Sequence, residues 1–279
     1  MGAYMAANLL RAGWTTSVWN RSAGKDDDIL SLGGTRVSTL AELASASDIV
    51  VLCVTDAPQV EAVLSELAPA LAAGTLVIDC STTSPLRSQD FARELAQHDV
   101  AFVDAPVSGG SEGARLGTLT IMVGGSDEDV ARATPVLEAM GKTITHLGAV
   151  GAGQWTKAIN QVIIAGTYLG VAEGVALGLK AGLDMEKVVA ALSGGAASSW
   201  VLQQRSGRMI ENDYPLGFKV SLHHKDLGIA LDLAQSVAAD LPVTALAAEY
   251  ERELMDRGHG DDDMSALARI VRGRSGLPD

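Results

Sequence analysis

The stretch DIVVLCV, residues 48–54, decides the fold class of this chain. After its leading aspartate it is apolar throughout, which is typical of a strand covered on both faces of a parallel sheet. GTLVIDC, residues 74–80, is a second run of this kind. Helical segments lie between such runs, and the alternation predicts a doubly wound, mostly parallel sheet of the α/β class. The predicted strands are Thr15–Asn20, Asp48–Val54, Thr75–Cys80, Val100–Ala105, Leu119–Val123 and Thr143–His146, and the helices between them are Gln59–Leu71, Pro85–Gln97 and Asp127–Met140.

The chain changes character after Gly151, where the strand pattern stops and helical periodicity continues. We therefore expect two domains, an α/β domain over residues 1–150 and an all-α domain over residues 151–279, joined by a long helix. Asp184, Ser199 and Pro242 stand where helices can begin. The predicted helices are Gln154–Ala181, Asp184–Leu192, Ser199–Asn212, Leu222–Ala238, Pro242–Arg257 and Met264–Arg272.

Composition limits the classes of partner. The 279 residues carry a formal net charge of −13, which argues against nucleic acid and anionic membranes as partners.

Cys53 and Cys80 lie in apolar runs, and we expect both to be reduced core residues of a cytoplasmic protein. The longest apolar stretch, residues 162–179, contains Glu173, and we expect it to be buried in protein rather than in lipid. The histidines show no metal-ligand spacing, so no metal site is expected.

The first 22 residues, MGAYMAANLLRAGWTTSVWNRS, begin as a helix rather than as a strand. Gly13 fits the C′ position of that helix, and a β-branched run follows it. Dinucleotide-binding domains place a strand and a G-x-G-x-x-G turn at such a helix. Gly2 fits the third glycine, so we expect the natural protein to start about ten residues earlier, with the missing strand and two glycines. In the alternative interpretation Gly2 is an ordinary helix glycine and no such turn exists.

Asn20, Arg21 and Ser22 follow the next predicted strand, where a dinucleotide-binding domain reads the ribose. An acidic residue there would bind the free 2′-hydroxyl of NAD, whereas a guanidinium binds a phosphate through two hydrogen bonds. The sequence therefore predicts NADP(H) as the preferred cofactor, with NAD(H) as the alternative. Arg21 could equally be read as an ordinary surface arginine.

Three later stretches carry a more specific pattern. They are DAPVSGGSEGARLGTLTIMVGG at 104–125, GAGQWTKAINQ at 151–161 and HKDLGIALDLA at 224–234. With the N-terminal stretch they resemble the β-hydroxyacid dehydrogenase family over essentially the whole chain. The resemblance implies a Rossmann-type domain and an all-α domain for substrate binding and oligomerisation. It also implies hydride transfer between a nicotinamide cofactor and a small carboxylate substrate, a short β-hydroxy acid or its semialdehyde, in a homodimer or homotetramer.

Lys157 and Asn160 are the candidate catalytic residues. Residues three apart on a helix share a face, so both side chains point to one place. A lysine among apolar neighbours can have its pKa lowered toward neutrality, which suits a general acid or base. Lys157 would then protonate the alkoxide that hydride transfer leaves, while Asn160 fixes the substrate. A surface lysine near a helix start is the alternative reading.

The turn Ser108–Gly109–Gly110 offers a hydroxyl and closely spaced backbone N–H groups, which suit a carboxylate. The resemblance assigns this turn to the acid group of the substrate, whereas a tight loop needing positive φ is the alternative. For Asp226, a helix-start charge in solvent is an equally open reading. The resemblance implies cofactor contacts by Cys53, Val54, Thr55, Ser81, Thr82 and Lys225, with Asp226 supporting the lysine.

Two other functions compete with this interpretation. An imine reductase shares the fold and the NADPH-binding end, but such enzymes usually carry Asp or Tyr in place of Lys157. A non-catalytic NADPH-binding module acting through its surface is the second, and the presence of both Lys157 and Asn160 argues against it. A 6-phosphogluconate dehydrogenase would need a longer helical half.

Overall fold

The computed structural model describes residues 1–22, 24 and 27–278. The chain divides into two compact units, Met1–Lys157 and Ala158–Asp279. The boundary lies after Lys157, inside the long helix, whereas the sequence pattern placed it before that helix.

The first unit alternates strands and helices, as the apolar runs predicted. Its strands are β1 (Ser17–Val18), β2 (Thr35–Arg36), β3 (Ile49–Leu52), β4 (Leu76–Asp79), β5 (Ala101–Asp104), β6 (Val107–Ser108), β7 (Leu119–Gly124) and β8 (Gly141–Gly148). Its helices are α1 (Gly2–Arg11), α2 (Asp27–Ser31), α3 (Leu40–Ser45), α4 (Ala57–Leu67), α5 (Pro85–Ala96), α6 (Gly110–Leu116) and α7 (Asp127–Glu138). Gly13 has φ +90° directly after α1, which confirms it as the C′ glycine.

The strands lie in two sheets. β1 and β2 form a parallel pair, and the larger sheet has the order β3-β4-β5-β7-β6 with β8 on β7. Strands β3, β4 and β5 are parallel, whereas β7 runs antiparallel to β5 and β6. The single sheet that the sequence predicted is therefore divided. In a dinucleotide-binding sheet of strand order 3-2-1-4-5-6, the first strand lies between the second and the fourth. In this chain β1 and β3 take the places of the second and fourth strands, and within the described ranges no strand pairs with both of them.

Strand β4 is buried on both faces, as its apolar sequence predicted. Leu76 and Ile78 belong to the core that also contains Met5 of α1. Val77 points the other way, into the core that contains Phe91 of α5. Successive residues of a strand face opposite sides, so these two cores cover both faces of β4, and its carboxyl end at Asp79 opens onto loops.

The second unit is helical. The helices are α8 (Ala152–Lys180), which begins in the first unit, α9 (Met185–Leu192), α10 (Trp200–Glu211), α11 (Val220–Ser236), α12 (Pro242–Asp256) and α13 (Leu267–Arg274). The Asp184 and Ser199 side chains accept the N–H groups of Lys187 and Leu202, which confirms both as N-caps. Helix α11 begins before the predicted Leu222, so residues 225 and 226 lie in its second turn rather than at its start.

Helix α8 is long and apolar enough to cross a membrane by length and composition, and 39% of its most apolar window is buried inside the protein. Ala165, Leu169 and Ala172 enter the core of the second unit. Ile163 and Leu177 are exposed. The helix thus has one face in a protein core and a second apolar face on the surface.

A buried carboxylate holds the start of α8 on the large sheet. Asp104 ends β5, is fully buried, and its two oxygens accept the backbone N–H groups of Gly151 (2.7 Å) and Gln154 (2.9 Å). Desolvation outweighs these two hydrogen bonds and raises the pKa of Asp104 to about 6. At Gly153 an added Cβ would lie 2.4 Å from the Met122 carbonyl oxygen and 2.8 Å from an Asp104 oxygen. The contact therefore requires glycine.

We expect Gly153→Ala to lower the free energy of unfolding by about 1–3 kcal/mol, because the methyl group would force backbone apart. Gly170→Ala is the matched control on the same helix, since nothing lies within 4 Å of its added Cβ. Better helix propensity should make that variant more stable by up to about 1 kcal/mol. Chemical denaturation measures both, and equal stability of the Gly153 variant and the wild type would contradict the close packing.

The raised pKa of Asp104 predicts a pH dependence of stability. Unfolded aspartates titrate near pH 4, so between about pH 4 and 6 the folded state binds the extra proton. The contribution of this carboxyl to stability therefore falls as the pH rises through that window. Relative to Asp104→Asn, the wild type should gain about 3 kcal/mol in free energy of unfolding as the pH falls from about 7 to 4.

Denaturation curves of both proteins across this pH range test the expectation. Asp99→Asn serves as the control, because Asp99 is exposed and its φ of +55° is one that asparagine adopts readily. It should follow the wild type at every pH. A stability difference between wild type and Asp104→Asn that does not change with pH would show that Asp104 titrates normally.

Candidate active site

The loops at the carboxyl ends of β3 and β4 lie together. The Val54 N–H donates to the Ser81 hydroxyl at 3.0 Å, and the Ser81 N–H donates to Asp79 at 2.9 Å. At the start of α1, an added Cβ on Gly2 would lie 3.5 Å from the Cys53 Cβ. The structure thus brings Gly2, Cys53, Val54 and Ser81 together at the edge where open α/β sheets bind ligands.

Residues Thr55 and Thr82 extend these two loops. The Cys53 and Cys80 thiols are free, and burial raises the pKa of both, which keeps them protonated at neutral pH. The two thiols therefore place no negative charge beside a bound dinucleotide. Within the described residues, no group of three His, Cys, Asp or Glu side chains is arranged to hold a metal ion.

Gln154 connects the β4 loop to helix α8. Its Nε2 donates to the Ser81 carbonyl oxygen at 2.9 Å and its Oε1 accepts the Thr83 N–H at 3.1 Å. Lys157 follows one turn later on the same helix and is 6% exposed. The burial of Lys157 rules out the surface-lysine reading.

Neither Asp104 nor Gln154 was predicted as a site residue. Each lies inside a stretch that carries the family resemblance, and each is a polar residue in an apolar context. That context was the available signal, but their partners are 47 to 73 residues away along the chain. Both residues position α8, and through it Lys157.

The predicted substrate turn leads from β6 into α6. Gly109 has φ +126° and Gly110 has φ +62°, values that side chains rarely adopt. An added Cβ at Gly109 would also lie 3.3 Å from Leu119. The backbone is therefore the tight turn that both readings of Ser108–Gly110 required.

The predicted ribose-reading residues are exposed after β1. The Asn20 amide donates to the Ser22 carbonyl oxygen at 2.6 Å, and Arg21 between them is exposed. Arg36 of β2 lies opposite Val18 in the register of the pair, and its guanidinium is 3.1 Å from Asp27. Arg36 is a second guanidinium at this end of the two-stranded sheet, and it was not predicted as a site residue.

In the second unit, a chain of polar contacts through Gln161 connects three predicted site residues, Asn160, Asp226 and Lys225. Asn160 donates to Gln161 at 2.7 Å, and Gln161 donates to Asp226 at 2.7 Å. The Lys225 ammonium lies 2.8 Å from the other oxygen of Asp226. Asp226 is buried, so the solvent-exposed reading of this residue is wrong, and Asp226 supports Lys225 as the resemblance implied. Gln161 was not predicted as a site residue.

Two family models match consecutive parts of the chain. The model described as the NAD binding domain of 6-phosphogluconate dehydrogenase matches residues 1–148. The model described as NAD-binding of NADP-dependent 3-hydroxyisobutyrate dehydrogenase matches residues 151–271.

Individual proteins match over nearly the full length. 2-Hydroxy-3-oxopropionate reductase of Escherichia coli is 41% identical over 97% of this chain and 94% of its own. 3-Hydroxyisobutyrate dehydrogenase of Pseudomonas aeruginosa is 35% identical over 98% of this chain and 96% of its own. Among solved structures, 3-hydroxyisobutyrate dehydrogenase of Mycobacterium tuberculosis with L-serine has a TM-score of 0.89 at 30% identity, covering 98% of this chain and 96% of its own.

An imine reductase from a Pseudomonas species is more distant, with a TM-score of 0.66 at 24% identity over 97% of this chain and 96% of its own, and shares the fold. The matched family models, the full-length relatives and the buried Lys157 agree with the resemblance read from the sequence. This chain belongs to the β-hydroxyacid dehydrogenase family.

Proposed function

We propose that this chain is an NADP(H)-dependent oxidoreductase that interconverts a short β-hydroxy acid and the corresponding semialdehyde or keto acid. The observation that carries the proposal is the buried Lys157, which lies one turn beyond Gln154 on a helix tied to the β4 loop. The primary amine of Lys157 is thereby held on helix α8, which is hydrogen-bonded to the loop at the ligand-binding edge of the sheet. The names of the full-length relatives, reductases and dehydrogenases of short hydroxy acids, support this reaction class.

The loops after β3 and β4 fit a nicotinamide cofactor, because the hydrogen bond from the Val54 N–H to the Ser81 hydroxyl holds them close together and the Cys53 and Cys80 thiols beside them are protonated. The cofactor, when bound, supplies or accepts the hydride. Lys157 then donates a proton from Nζ to the substrate oxygen in reduction and removes it in oxidation. Ser108–Gly110 binds the carboxylate through its hydroxyl and N–H groups, and Asn160 orients the reacting end of the substrate.

NADP(H) rather than NAD(H) is the proposed cofactor. Exposed Arg21 supports this choice, since it follows β1 with no acidic residue beside it in the Asn20–Ser22 segment. A guanidinium binds a 2′-phosphate through charge-assisted hydrogen bonds, whereas NAD specificity is normally set by a carboxylate at this position.

Lys157→Ala should lower kcat at least about 100-fold, the usual contribution of an acid–base group. Binding of NADPH should change little, because the variant keeps the β3 and β4 loops. Lys180→Ala, at the exposed end of the same helix, is the matched control and should keep wild-type turnover. The assay follows NADPH absorbance with a panel of semialdehydes including 2-hydroxy-3-oxopropionate. Undiminished turnover in Lys157→Ala would remove this residue from the mechanism.

Arg21→Ala should weaken NADPH binding about 10-fold or more, the worth of hydrogen bonds to a charged group. NADH lacks the 2′-phosphate, so its affinity should change less than about threefold. Calorimetric titration of both proteins with both cofactors gives the four constants. Equal losses for NADPH and NADH would show that Arg21 does not read the phosphate.

A further inference from the structure

Asp226 fixes the direction of a short hydrogen-bond chain in the second unit. An ionised carboxylate can only accept hydrogen bonds. Gln161 must therefore present its NH2 group to Asp226, which leaves its carbonyl oxygen facing Asn160. Asn160 must in turn present its own NH2 group to that oxygen. The acceptor-only carboxylate thus decides how both amides are turned.

Burial makes this arrangement rigid. Gln161 is 1% exposed and Asp226 is 3% exposed, so neither can exchange its partner for bulk water at low cost. The Lys225 ammonium lies 2.8 Å from the second Asp226 oxygen, so each of the two carboxylate oxygens has a donor beside it. A reversed Gln161 amide would place two acceptors against each other at one end and two donors at the other.

We propose that Gln161 is a positioning residue. Because it donates to Asp226, it accepts from Asn160 and so fixes the orientation of the Asn160 amide. With one NH2 hydrogen held by Gln161, the Asn160 amide offers its Oδ1 as an acceptor for the hydroxyl group of the hydroxy acid. The same chain connects the residue that orients substrate to Lys225, the residue assigned to the cofactor. The role in catalysis rests on the proposed function, whereas the direction of the hydrogen bonds does not.

Gln161→Met removes both hydrogen bonds and keeps the length of the side chain. We expect KM for the hydroxy acid to rise about tenfold, the worth of one oriented hydrogen bond, with a smaller change in kcat. Gln203→Met is the matched control, because Gln203 is an exposed glutamine of α10 with one hydrogen bond to Ser198. It should behave as wild type. A KM within twofold of wild type for Gln161→Met would overturn the positioning role.

Gln161→Glu separates polarity from packing. A protonated carboxyl group can donate to Asp226 and accept from Asn160, as glutamine does, whereas an ionised one places a second carboxylate against Asp226 and donates nothing. The kcat/KM of this variant relative to wild type should therefore rise as the pH falls from about 8 to 5. Lys225 and Asp226 are unchanged in both proteins. A ratio that stays constant over this range would contradict the polarity argument.

A measurement without turnover distinguishes the two proposals. The chain has four asparagines, so selective 15N-asparagine labelling resolves the side-chain amide of Asn160, which Asn160→Asp identifies by its loss. One of its two protons should exchange slowly in wild type and rapidly in both Gln161→Met and Asp226→Asn. Unchanged exchange in both variants would overturn the inference. A protected proton in a wild-type protein that transfers no hydride would instead reject the proposed function.

Discussion

A buried carboxylate that must find hydrogen-bond donors holds this structure together. Asp104 lies at the end of β5 without access to solvent, and the donors it finds are the N–H groups at the start of α8. Helix N-termini present such unpaired donors and attract negative charge. The cost of burying the charge appears in the raised pKa of Asp104. In return, the register of α8 on the sheet is fixed, and with it the position of Lys157.

Asp226 serves the second unit by the same chemistry. Both carboxylates are buried acceptors surrounded by donors, but Asp104 binds backbone and fixes a helix, whereas Asp226 binds side chains and fixes amides. A side-chain amide can rotate by 180° and exchange its oxygen and NH2 group, so its orientation must be fixed by a neighbouring group. A carboxylate that only accepts hydrogen bonds fixes this orientation, and in this chain it leaves the Oδ1 of Asn160 available to the substrate.

The sequence predicted most of the fold because the longer elements carry periodicity. Run 74–80 became a strand buried on both faces, whereas run 48–54 became a strand with one face buried and the other only partly buried. The N-caps Asp184 and Ser199 are where the side-chain rules put them. The strands β2 and β6 have two residues each, too few to show a period of two. Gln154 and Gln161 escaped prediction because their partners are distant in sequence: Gln161 and Asp226 are 65 residues apart, and nothing in the local pattern connects them.

The position of the boundary between the units also bears on how members of this family can be recombined. Helix α8 belongs to both units, and its first turns, including Lys157, are part of the first. A chimera joined at residue 150 would take the lysine from one parent and its supporting carboxylate, Asp104, from the other. A junction after Lys157 would take both Lys157 and Asp104 from the same parent. For this fold, the exchangeable module is the sheet together with the beginning of the helix.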